Sequence, residues 1–139
     1  MTRVVLDTNV LVSLALAQRG PLLELREAWA ARRFVVLAAV PLLDEVRRVL
    51  ERPKIADRLS RERRDGLLLR LERLTEPVVC REPYPEFSDP ADDFLLAMLR
   101  DGDADCLVTG DGALLELVRF EGEEILTAAA FVEQLRADS

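Results

Sequence analysis

Apolar residues fall along the chain in two kinds of run. Short continuous stretches rich in Val, Leu and Ile occupy residues 3–6, 34–40, 78–80, 106–109 and 124–127. They are too brief for helices and predict buried strands. Between them lie stretches of helical character: 10–17, 22–33 after the Gly20-Pro21 break, 41–52, 60–74, 89–100, 112–118 and 128–135. Pro41 suits the first turn of its helix, and the Arg52-Pro53 step ends it, because a residue before proline avoids the helical region. Residues 81–88 read as a Pro-bearing loop. Strands alternating with helices predict a parallel sheet covered on both faces. No repeat, linker or low-complexity segment interrupts the pattern, so residues 1–139 are expected to form a single domain. No apolar run is long enough for a membrane span. The run after Met1-Thr2-Arg3 meets an Asp at once, unlike a signal peptide, so a soluble cytoplasmic protein is expected.

Parallel α/β sheets place their sites beyond the carboxyl ends of strands. Asp7 follows the run 3–6, and Asp111 follows the run 106–109. Each also fits as the N-cap of the helix after it. Glu45 stands three residues after Leu42 and four before Val49, in line with the stripe Leu42, Leu43, Val46, Val49 and Leu50. Asp44 aligns instead with Arg47 and Arg48 on the polar side. An acid among core positions needs a hydrogen bond, a counter-charge or a metal to offset its desolvation. In Asp89-Pro90-Ala91-Asp92-Asp93, Asp89 suits the N-cap, Pro90 the first helical position and Asp92 the third, where the helix dipole favours it. Asp93 aligns with Leu96 and Ala97, which makes it the better candidate for a working acid, with Asp92 as the alternate.

Composition narrows the chemistry. There is no histidine, which removes Ser-His-Asp and Cys-His catalysis and His-ligated zinc together. Cys80 and Cys106 lie far apart in strand-like runs and are expected to be reduced core residues. Four carboxylates gathered at one crevice, Asp7, Glu45, Asp93 and Asp111, would raise one another's pKa values unless a cation joined them. Oxygen ligands without sulfur or imidazole select Mg²⁺ or Mn²⁺, and the fitting reaction class is metal-assisted phosphoryl transfer.

The net charge of −7 argues against a nucleic-acid partner, but the signs are segregated. Ten Arg and Lys residues fall between Arg47 and Arg73, opposed only by Glu51, Asp57, Glu62, Asp65 and Glu72. This stretch is either a solvated helix pair laced with intrahelical ion pairs or a rim for nucleic-acid phosphates, with Arg47, Arg48, Arg52 and Lys54 nearest the acids. The small number of aromatic residues argues against a base-stacking platform.

Taken in order, Val4-Val5-Leu6-Asp7-Thr8-Asn9-Val10-Leu11, then Leu42-Leu43-Asp44-Glu45-Val46 through Arg52-Pro53-Lys54, Asp89-Pro90-Ala91-Asp92-Asp93-Phe94-Leu95-Leu96-Ala97, Leu107-Val108-Thr109-Gly110-Asp111 and Ile125-Leu126-Thr127 resemble the PIN-domain family. Within it they resemble the small VapC-type ribonucleases that are the toxins of prokaryotic toxin–antitoxin pairs. The resemblance implies a three-layer α/β/α sandwich with a five-stranded parallel sheet and a site for one or two Mg²⁺ or Mn²⁺ ions. It matches Asp7, Glu45, Asp93 and Asp111 to the family's acidic quartet, and Asn9 and Thr109 to polar positions beside it. It further implies an RNA substrate, a small antitoxin partner that blocks the crevice, and a homodimer. The apolar stretches 10–17 and 22–29 would supply either a dimer face or core. One departure is Asp103 between Gly102 and Ala104, where the family usually runs Gly-Ala-Asp. Two other readings stand beside the nuclease: a non-catalytic PIN-fold binding module, and a phosphoryl-accepting receiver. The receiver needs a lysine after a late strand, whereas the sole lysine, Lys54, follows the third helix.

Overall fold

The computed structural model describes residues 1–87 and 89–138. Ser88, the last residue of the expected loop 81–88, lies outside them. In chain order the elements are β1 (Arg3–Leu6), α1 (Thr8–Leu16), α2 (Gly20–Ala30), β2 (Val35–Ala38), α3 (Val40–Leu50), α4 (Pro53–Ala56), α5 (Arg61–Arg73), β3 (Thr75–Pro77), α6 (Pro90–Asp101), β4 (Cys106–Val108), α7 (Gly112–Leu115), β5 (Arg119–Phe120), β6 (Glu123–Leu126) and α8 (Ala128–Ala137).

The strands form one sheet in the order β3-β2-β1-β4-β6-β5. Five run parallel, with Val4 opposite both Val36 and Cys106, and Leu107 opposite Ile125. The sixth, β5, turns back antiparallel onto β6 through Glu121-Gly122. From β1 the chain steps outward to β2 and β3, then crosses back to β4 and on to β6. Right-handed crossovers put the helices of these two directions on opposite faces. This gives the three-layer α/β/α sandwich: α1, α2, α5 and α8 pack on one another, while α6 lies against β1 and β4.

The central strands are fully buried because both faces are covered; Val4, Val5, Leu6, Val36, Leu37, Leu107 and Val108 have no exposed surface. Trp29 and Phe131 are the largest side chains in the core, and Phe34 meets Phe131 edge-to-face at 5.2 Å. Val10, Leu11, Leu14, Leu25 and Trp29 are buried within this core. These residues of α1 and α2 serve the core, while Leu16, Leu22 and Leu23 remain partly exposed. No helix among the described residues is long and apolar enough to cross a membrane.

The third strand is not where its apolar run suggests. Val78-Val79-Cys80 is irregular, and β3 is Thr75–Pro77. As an edge strand it is paired on one side only, so it needs no continuous apolar run and tolerates Pro77, which has no N–H. Val78 N–H still donates to the Ala38 carbonyl at 2.9 Å, but Val79 is 91% exposed. Cys80 is consequently half-buried rather than a core residue, while Cys106 is buried in β4; both thiols are free.

Candidate active site

The sheet order reverses between β1 and β4, and the carboxyl ends of that pair are where such a sheet places its crevice. Asp7 leaves β1 there. Its backbone N–H donates to the Val108 carbonyl at 3.0 Å, tying the end of β1 to the end of β4. Its side chain caps α1 by accepting from Asn9 N–H at 3.4 Å, and its other oxygen accepts the Thr109 hydroxyl at 2.6 Å. The Thr109 oxygen in turn accepts from Asp111 N–H at 3.0 Å, and Asp111 caps α7 through Ala113 N–H at 2.8 Å. Both acids are caps and both face the crevice; the two roles coexist.

Asp7 and Thr109 are buried. Burial raises the Asp7 pKa, the bonds from Thr109 and Asn9 pull it back, and the charge of Asp111 raises it again. Glu45 reaches the same place from α3, with only 15% of its side chain exposed. Burial raises its pKa most; the Thr8 hydroxyl opposes this, Asp7 and Asp89 add to it, and Arg48, 3.8 Å away, moderates it. The Thr8 hydroxyl is itself buried and completes no hydrogen bond of ordinary geometry.

Of the two neighbouring acids on α6, it is Asp92, the alternate, that lies within reach of the charges of Asp7 and Asp111. Asp92 is 6% exposed. Its pKa is pushed up to about 7 by burial, by the charges of Asp111, Asp89 and Asp7, and by a side-chain hydrogen bond with Asp111. Asp93 turns away and accepts Phe87 N–H at 2.7 Å, which tethers the preceding loop to α6. Alignment with Leu96 and Ala97 favoured Asp93, but every residue from Phe94 to Leu99 is buried, so alignment with one or two of them does not set the phase of α6. Asp89 caps α6 through Ala91 N–H at 2.9 Å and also acts electrostatically on Asp92 and Glu45. Sequence gave it only the capping role, and nothing in its spacing signals the second.

Of the expected basic rim, Arg48 alone reaches an acid of the crevice. Arg47 pairs with Asp44 at 3.8 Å, and Arg52 and Lys54 stand exposed at the start of α4. Asn9 contributes its backbone N–H to Asp7; beside it a groove runs past Ser13, Leu22, Val49 and Arg58.

Hard oxygen donors dominate this crevice. The rise in three carboxyl pKa values expresses their burial and mutual repulsion. A divalent cation would relieve that repulsion. The donor set therefore fits Mg²⁺ or Mn²⁺, although among the described residues no three acids are drawn together into a ready cation cage.

Comparison with protein families matches residues 3–113 to the PIN domain. The chain belongs to the PIN-domain family. Two solved structures share the fold. One is the PIN domain of human SMG5, 16% identical with a TM-score of 0.52, covering 95% of this chain and 97% of that one. The other is VapC20 of Mycobacterium tuberculosis, a sarcin-ricin loop cleaving toxin, 18% identical with a TM-score of 0.54, covering 87% of this chain and 98% of that one. No curated protein matches the sequence. PIN domains are in general nucleases and generally use Mg²⁺ or Mn²⁺.

Proposed function

We propose that this PIN domain is a divalent-metal-dependent endoribonuclease, the toxin component of a toxin–antitoxin pair acting in the cytoplasm. The observation that supports the reading is that Asp7, Glu45, Asp92 and Asp111, from four separate segments, lie near enough to act on one another's charge around the point where the strand order reverses. These four residues would hold one or two Mg²⁺ or Mn²⁺ ions, with Asp92 taking the place first expected of Asp93. Such an ion, when bound, activates a water and stabilises charge on phosphoryl oxygens.

The chain's own groups do the rest. Thr109 donates to Asp7 and accepts from Asp111, so it fixes the rotamers of two acids at once. The buried Thr8 hydroxyl faces Glu45 and lowers its pKa. Arg48, with Arg47, Arg52 and Lys54, supplies an exposed basic rim that attracts an RNA strand toward an otherwise acidic crevice. The description of VapC20 as a sarcin-ricin loop cleaving toxin supports the choice of substrate. An antitoxin that covers the crevice and a homodimeric assembly complete the reading.

The test is direct. Purified protein with Mn²⁺ or Mg²⁺ cleaves RNA to leave 5′-phosphates, and both EDTA and Asp7→Asn abolish the cleavage. Undiminished cleavage by rigorously purified Asp7→Asn protein would falsify the assignment of the site. A second reading, a PIN-fold binding module without catalysis, has one observation in its favour, the lack of a ready cation cage among the described residues. Calorimetric titration with Mn²⁺ separates the two: heat that disappears in the Asp7→Asn protein supports the nuclease, and no heat supports the module.

A further inference from the structure

Away from the acids, a cavity of about 280 Å³ opens between α1, α2 and α5. Arg26, Arg63 and Arg70 line it together with Leu67 and Trp29, and no carboxylate does. Arg26 and Arg63 are anchored at the end of α1, donating to the Leu14 carbonyl at 2.7 Å and the Ala15 carbonyl at 3.2 Å. Each such bond occupies one of five N–H donors and leaves the others available. Arg70 lies over the Trp29 ring at 5.5 Å, and the ring is held by its own N–H bond to the Leu74 carbonyl. Among the described residues none of the three arginines forms an ion pair with a carboxylate. Burial and the like charge of Arg26 both lower the Arg70 pKa.

Gly66 is a second, independent sign. It sits in the interior of α5, where glycine is the least favourable residue after proline. Packing does not require it, since a Cβ there would meet no atom within 4 Å. It lines the cavity, so a longer side chain there has room to extend across its mouth.

We propose that the cavity binds a phosphate group, with the three guanidinium groups clasping its oxygens and Trp29 and Leu67 flanking the body that carries it. Planar N–H forks match phosphate oxygens in geometry as well as charge. The site is distinct from the acidic crevice: Ala15 lies eight residues from Asp7 along α1, roughly 12 Å. The phosphate is that of a free nucleotide or that of an RNA strand, and one set of titrations separates them.

The full chain in EDTA is titrated with inorganic phosphate, AMP and a short RNA, as wild type and as Arg70→Gln and Gly66→Leu. Binding of phosphate and AMP is expected to weaken about tenfold or more in both variants, a loss of about 1.4 kcal/mol. Gly66→Leu fills the cavity with a better helix former, so its melting temperature should equal or exceed that of the wild type, which excludes unfolding as the cause. A parallel loss of RNA affinity assigns the site to the strand; RNA affinity unchanged assigns it to free nucleotide. The proposal is overturned if phosphate and AMP do not bind, or bind equally well to all three proteins. Asp7→Asn protein should retain the anion site, so this result stands or falls apart from the nuclease reading.

Discussion

Thr109 shows how little of the site a single side chain needs to touch in order to control it. Its hydroxyl donates to Asp7 and accepts from the Asp111 backbone, and it is 1% exposed. Thr109→Val keeps the shape and removes both bonds. It should lower metal affinity and cleavage by about 10- to 100-fold, as for other groups that orient metal ligands, in a protein whose circular dichroism is unchanged. The neighbouring carboxylates of α6 give a sharper contrast. Asp92→Asn should cost at least as much activity as Thr109→Val, whereas Asp93→Asn, which only weakens a tether to Phe87, should retain most of it. Equal losses from the two would contradict the surroundings that distinguish them. Sequence put Asp7 and Asp111 at strand ends and Glu45 in an apolar stripe, and the structure brings these three within reach of one another's charge. It favoured Asp93 over Asp92 by alignment with Leu96 and Ala97, but a run buried from Phe94 to Leu99 gives such an alignment little meaning, and it is Asp92 that the structure couples to the other acids.

At the scale of elements, those whose stability comes from local chemistry were legible. Central strands β1, β2 and β4 are apolar because both faces are covered, and α5, α6 and α8 begin at Ser60, Asp89 and Thr127, side chains that bond the first free N–H groups. Edge elements were not: β3 reads Thr-Glu-Pro, and β5 has two residues held by a turn. Four-residue α4 also carries too short a pattern to show. The end of α6 depends on close approach rather than pattern. A Cβ on Gly102 would lie 2.7 Å from the Met98 carbonyl oxygen and 2.8 Å from Leu37 Cδ1. Gly102→Ala should therefore destabilise the domain by about 1–3 kcal/mol, the usual range for overpacking, measured by urea denaturation. Arg3 depends on the same turn, since its guanidinium donates to the Gly102 and Asp103 carbonyls at 2.8 and 2.9 Å.

For the whole molecule, the gathered acids set the dependence of stability on pH. Asp7, Glu45 and Asp92 have raised pKa values, so between about pH 4 and 7 the folded protein holds more protons than the unfolded chain. Stability then falls as pH rises through that window. Asp101 acts in the opposite sense. It accepts from Arg81 and Arg100 at 2.8 and 2.7 Å, its pKa is depressed, and the stability it contributes is lost as pH falls below its ordinary value of 3.8. Metal-free protein should be most stable on the acid side, near pH 4 to 5, when thermal melts are followed in EDTA. Asp92→Asn should flatten the decline toward neutrality and raise the melting temperature at pH 7.5 by about 2–4 °C or more, the equivalent of 1 kcal/mol in a domain of this size. A wild-type melting temperature that climbs steadily from pH 4 to 7 would sink this account. The hydroxyl that steadies Asp7 comes from 102 residues further along the chain, and β1 cannot be completed without β4. Contacts this distant form late. A growing chain therefore carries Asp7 clear of the ribosome long before Thr109 and Asp111 have been made. Under the nuclease reading, the messenger being translated is safe from its own unfinished product.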